Sequence, residues 1–173
     1  ALLLIAAVGL VVAGSVYLSS RSGSDGSETD NSATPPAEGA GSVTGENQAW
    51  DTARAEEELD ALVEAFTGIN NRGEAMDGLV RAARQLVERY PRFAEGRAFY
   101  GQMLMLVGRT DPAIEQFKLS LDLDRQQPGT HLLMGTLYLQ TDRPVEAAKA
   151  FDQAVSLEPT NASYRLHLAQ AHL

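Results

Sequence analysis

Histidines at 131, 167 and 172 are the residues of this chain most able to hold a metal. His167 and His172 stand five apart, which turns them to different sides of a helix, whereas two imidazoles share a metal at i, i+4. Structural or surface roles are expected for all three. Asp122 and Asp124 in "LDLDR" could open a cation or nucleotide motif, but they fall at a helix end and are expected to be solvated. Asn71-Arg72-Gly73 and Val107-Gly108-Arg109 read as turns rather than phosphate cradles, because no strand and no Gly-Lys-Ser/Thr accompanies them. Asn161-Ala162-Ser163 fits the acceptor pattern for N-glycosylation, a three-residue match that arises often by chance. The chain has no cysteine, which excludes disulfides, thiolate metal sites and a cysteine nucleophile. Its net charge of -9 and pI of about 4.7 leave no basic stripe for a phosphate backbone, so nucleic acid is not an expected partner. No catalytic residue, cofactor or metal is expected, and the chain does not read as an enzyme.

What remains is the set of elements that would position a non-catalytic surface. The 173 residues leave room for about one domain of ~150 residues plus appendages. Ala1–Leu18, "ALLLIAAVGLVVAGSVYL", carries no charge. As a helix it would extend about 27 Å, close to a hydrocarbon core of about 30 Å. It is expected to be a transmembrane anchor or signal-anchor; the alternative is a secretory signal cleaved near Ala13 or Ser15, with secretion as the outcome. Residues 19–49 are Ser-, Gly-, Pro- and acid-rich with almost no large apolar side chain, so they read as a disordered linker. Among them Arg21 is the one cation, and the positive-inside bias therefore puts the rest of the chain outside the cytoplasm, in the periplasm if the source is bacterial. From Trp50 onward apolar residues recur at three- and four-residue spacing, as in "LVRAARQLVERY", which predicts amphipathic helices and no sheet. Stops are expected at Thr67-Gly68, Pro91, Gly108, Asp142-Arg143-Pro144 and Pro159. Such short connections give a string of antiparallel helical hairpins.

The hairpins repeat. Tyr100-Gly101 and Met134-Gly135 are 34 positions apart, as are Leu104 and Tyr138, Ala113 and Ala147, Phe117 and Phe151, and Ser120 and Ala154. This pattern resembles the tetratricopeptide repeat, a helix-turn-helix unit of about 34 residues with a small residue midway in its first helix and alanine then an aromatic in its second. In that register residues 94–127 are one repeat, 128–161 a second and 162–173 the start of a third. Residues 50–93 form a divergent hairpin or cap. Leu104, Ser120 and Arg125 depart from the pattern in the first repeat, and Ala169 takes the glycine's place in the third. The fold class is thus all-α, an α-solenoid of antiparallel repeats preceded by an anchor and a linker. The small residues are expected where Gly101 and Gly135 face Ala113 and Ala147, with Tyr138 and Phe151 filling the gaps between layers.

The resemblance implies a binding groove on the concave face lined by the first helix of each repeat. Its candidate residues are Ala98, Phe99, Gln102 and Met105, then Leu132, Leu133, Thr136 and Leu139, then Leu166, His167 and Gln170. Chaperone-binding relatives hold a C-terminal carboxylate with lysine, asparagine and arginine; the matching positions here are Ala98, Gln102, Leu133, Ser163 and His167, so carboxylate-clamp binding is not expected. The groove is largely apolar and suits an extended or helical segment of a partner protein. The expected function is a membrane-tethered scaffold or adaptor, and the order of anchor, tether and repeats is similar to that of envelope assembly factors such as those of cytochrome c maturation. The alternatives are a substrate-docking arm of a larger enzyme and a self-associating array.

Overall fold

The computed structural model describes residues 45–68 and 72–171, and all of its regular elements there are helices. In chain order these are α1 (Gly45–Thr67), α2 (Arg72–Arg89), α3 (Ala94–Leu106), α4 (Thr110–Leu123), α5 (Pro128–Gln140), α6 (Pro144–Leu157) and α7 (Ala162–Ala171). The expected stops at Gly68, Pro91, Gly108, Asp142-Arg143 and Pro159 fall between helices, and Pro144 is the first residue of α6. α1 begins at Gly45, inside the segment read as linker. Ala49 and Gln48 are good helix formers, and Glu46 suits the positive end of the helix dipole. The expected anchor, Ala1–Leu18, lies outside the described residues. Among the described residues no helix is long and apolar enough to cross a membrane.

Starting points of α3, α5 and α7 are 34 residues apart, as are those of α4 and α6. Each helix packs on the next. The odd-numbered helices also touch in sequence, α1 on α3, α3 on α5 and α5 on α7, while α2, α4 and α6 do not pack on one another. A row in contact must lie on the tighter side of a curved stack, and a row that is splayed apart must lie outside. The odd helices therefore form the concave face.

Close approach within each hairpin depends on glycine. A Cβ on Gly135 would lie 2.6 Å from Cε1 of Phe151, and one on Gly101 would lie 2.8 Å from Cδ1 of Phe117. Both rings are fully buried. The atoms nearest both glycines belong to the Phe117 and Phe151 rings, and Gly101 also faces Ala113, as expected, whose carbonyl oxygen would lie 3.2 Å from the added Cβ. Phe151 thus packs within its own hairpin against Gly135 and also reaches His167 of the next helix, α7. The matching Ala169 of α7 is exposed. In the first hairpin Ala83 stands 34 residues before Phe117, and the core there is built from Ala55, Leu59, Leu79 and Leu86. Glu58 joins α1 to α2 by an ion pair with Arg89 and accepts a hydrogen bond from Tyr90 Oη at 3.1 Å.

The turns inside the two full repeats share one geometry. Gly108 donates its N–H to Met105 O at 3.0 Å and Arg109 to Leu104 O at 2.9 Å; Asp142 donates to Leu139 O at 3.2 Å and Arg143 to Tyr138 O at 2.8 Å. This is the Schellman ending, in which the first residue past the cap takes a left-handed conformation. Gly108 does so at φ 77°, and Asp142, 34 residues later, at φ 57°. The Arg143 guanidinium then lies 4.5 Å from the centre of the Tyr138 ring, a cation–π contact across the turn.

Ser120 departs from the repeat pattern for a local reason. Its Oγ is 2.7 Å from the carbonyl oxygen of Ala94 and 3.1 Å from Gln127 Oε1, which also accepts from Thr130 Oγ1 at 2.9 Å. Gln127 Nε2 in turn donates to Asp124 O at 3.1 Å. These groups form a polar seam between the two full repeats, where an alanine would remove the buried Ser120 donor.

The concave face as a candidate binding site

α3 carries a stripe at three- and four-residue spacing: Glu95, Ala98, Gln102 and Met105. The 34-residue period continues it on α5 as Gly129, Leu132, Thr136 and Leu139, and on α7 as Ser163, Leu166 and Gln170. Such spacing puts the members of each set on one side of their helix, the side that the repeat register assigns to the concave face.

Burial divides the expected groove residues. Ala98, Phe99, Gln102, Leu132 and Leu133 are buried, with Leu132 only 1% exposed, so they form floor and core. Met105, Thr136, Leu139 and His167 are half-buried, and Leu166 and Gln170 are exposed. The exposed apolar residue of the set is thus Leu166, at 58%, while Met105 and Leu139 are half-buried and packed against the core with part of their surface accessible. The Thr136 hydroxyl bonds back onto its own helix, donating to Leu132 O at 2.9 Å. His167 Nδ1 is 2.8 Å from Ser163 O, and its ring packs on Phe151 with centroids 5.6 Å apart, tying α7 to the hairpin before it.

The remaining chemically suggestive residues serve the scaffold. His131 is 9% exposed, its Nε2 lies 3.3 Å from Arg125 O, and its buried Nδ1 has no partner. Burial lowers the His131 pKa, with the Arg125 carbonyl opposing that shift. His172 lies outside the described residues. Asp122 is exposed as expected, but Asp124 is half-buried and accepts the Gln126 N–H at 2.9 Å, holding the α4–α5 turn. Asn161 is likewise committed to a turn, donating to Glu158 Oε2 at 3.0 Å and accepting the Ser163 N–H at 3.1 Å. Among the described residues no three His, Cys, Asp or Glu side chains gather as a metal site.

Glu95 is the member of the stripe that the sequence reading passed over. Burial pushes its carboxyl pKa up, and the nearby carboxylates of Asp124 and Glu56 push the same way, while a hydrogen bond from its own backbone opposes them. The spacing to Ala98 could have found it; the convergence of Glu56 from α1 and Asp124 from the end of α4 could not.

Solved structures with this arrangement are tetratricopeptide-repeat domains. The chain has their fold. The first such domain of Spaghetti (RPAP3), bound to the HSP90 peptide SRMEEVD, aligns at TM-score 0.62 and 14% identity over 70% of this chain and 92% of that one. The OM64 domain of Arabidopsis aligns at TM-score 0.61 and 16% identity over 70% and 96%. The TPR2B domain of yeast Sti1, in a complex with pHsp70, aligns at TM-score 0.60 and 17% identity over 69% and 97%. No protein-family model and no curated protein matches the chain.

Proposed function

We propose that this protein is a non-catalytic adaptor that receives a segment of a partner protein on its concave face. The observation that carries this reading is the accessible apolar set Met105, Leu139 and Leu166 on the side where the odd helices meet. Apolar side chains left at least partly accessible along one face of a scaffold suit an interaction surface. Several similar domains are described as bound to chaperone peptides, which supports a peptide-sized partner. The carboxylate-binding lysine, asparagine and arginine are replaced here by Ala98, Gln102, Leu133, Ser163 and His167, which supports a different ligand chemistry. A photo-crosslinker at Leu139 should give a discrete adduct in cells that one at Leu119, exposed on α4, does not. Identical adducts from both positions would remove the concave face from the proposal.

The adaptor is proposed to hang from a membrane by Ala1–Leu18, with the repeats outside the cytoplasm and residues 19–44 as tether. The uncharged apolar run and the near-absence of cations after it support this placement. An envelope assembly role, of the kind met in cytochrome c maturation, rests on that order of segments. Extraction of membranes with alkaline carbonate should leave the full chain in the pellet; release into the supernatant would refute the anchor.

A further inference from the structure

The concave face has a charge polarity that limits what can occupy it. α5, its central wall, contains no Asp, Glu, Lys or Arg, so the middle of the face is neutral. α1, the wall at one end, carries seven acidic residues and a single arginine in its 23 residues. Glu95 begins the α3 stripe beside that wall, with Glu56 of α1 and Asp124 close enough for their charges to act on it. The ion pairs among the described side chains are Arg84–Glu88, Arg89–Glu58 and Arg143–Glu146, so none of these three carboxylates is neutralised by a cation. The helix dipole at the start of α3 favours one carboxylate there. It does not account for three carboxylates converging from α1, α3 and the end of α4.

We propose that the occupant of this face is an apolar segment carrying a lysine or arginine at one end, with its apolar side chains over Met105, Leu139 and Leu166 and its cation beside Glu95. The inference rests on the groove reading above and adds the partner's chemistry to it. Apolar area supplies the attraction, and charge complementarity sets orientation and rejects acidic competitors, since like charges brought together on a partly dehydrated surface repel. A cation docked beside Glu95 would favour its charged form against the burial that chiefly raises its pKa, so binding should lower that pKa and release protons near acid pH.

The test is fluorescence anisotropy with the full chain and three labelled probes: a short leucine-rich peptide with lysines at one end, the same peptide with glutamates in their place, and SRMEEVD. The lysine peptide should bind at least about tenfold more tightly than the glutamate peptide, with an advantage that shrinks as salt rises. Glu95→Gln should weaken the lysine peptide roughly three- to tenfold and leave the glutamate peptide no weaker. Glu56→Gln, an exposed change on a different helix, should act in the same direction, and circular dichroism would confirm that both variants are folded. Leu139→Asn with Leu166→Asn should weaken every probe that binds. If the glutamate peptide or SRMEEVD binds as tightly as the lysine peptide while remaining sensitive to the two leucine substitutions, the charge inference is overturned and the groove stands. If no probe binds, or binding ignores the leucines, both are overturned.

Discussion

Gly135→Ala and Gly78→Ala are the same chemical change inside two helices, and the structure gives them different signs. Glycine in a helix interior is less favourable than alanine by about 1 kcal/mol. At Gly78 the new methyl would meet only Arg81 Nη2 at 4.0 Å, so that gain should appear nearly whole, about 0.5–1 kcal/mol of added stability. At Gly135 the methyl would sit 2.6, 2.8 and 2.9 Å from three atoms of the Phe151 ring, which is 0% exposed and has nowhere to retreat. Overpacking of a tight core costs about 1–3 kcal/mol, which cancels or outweighs the helix gain. Urea unfolding should therefore place the two midpoints on opposite sides of wild type, or at least about 1 kcal/mol apart after multiplication by the slope. Phe151→Ala should itself cost about 3–5 kcal/mol. In that background the ring is gone, and Gly135→Ala should turn stabilising, a coupling that a double-mutant cycle measures. If Gly135→Ala and Gly78→Ala shift the midpoint equally in both backgrounds, the close-approach account of Gly135 is wrong.

Asp142→Gly should stabilise the protein by roughly 0.5–1 kcal/mol in thermal or urea unfolding, because φ is 57° there and the equivalent Gly108 meets the same demand without a Cβ; Gly108→Ala should cost a similar amount. Ser120→Ala, although it restores the residue present at Ala154, should destabilise by about 1–3 kcal/mol by removing the hydroxyl donor beside Ala94 O in a fully buried site, while Gln127 Oε1 keeps the Thr130 hydroxyl. His131 has a lowered folded-state pKa, so the unfolded chain binds its proton first. Its contribution is intact above the unfolded value near 6.5 and declines as pH falls below it, and His131→Phe should flatten the stability profile of wild type across that window.

The period, the helix boundaries and the hairpin topology were legible in the chain because each is a local or one-dimensional property. Gly108 and Pro159 follow helix ends and Pro144 opens a helix at its first position, all local effects, and a 34-residue recurrence of Gly101/Gly135 and Phe117/Phe151 needs no coordinates to be seen. The start of α1 was less legible, since a polar helix-forming stretch such as Glu46–Ala49 has the composition of a linker. Asp142 in a left-handed turn was visible only by comparison with Gly108, because aspartate itself does not demand that conformation.

Helical spacing gives the direction of a side chain about its axis, but it is silent on how far the neighbouring helices rise beside it. Leu132 and Leu139 lie on the same stripe, yet α5 is enclosed at Leu132 and open at Leu139, so one belongs to the floor and the other to the surface. The same limit hid the seam of Ser120, Gln127 and Thr130 and the meeting of Glu95 with Glu56 and Asp124, whose members come from separate helices and turns. The sequence by itself determined which elements form and with what period. Only the tertiary structure decided which residues of the concave stripe reach solvent and which charges share that face, because accessibility and electrostatic proximity arise from the stacking of several helices.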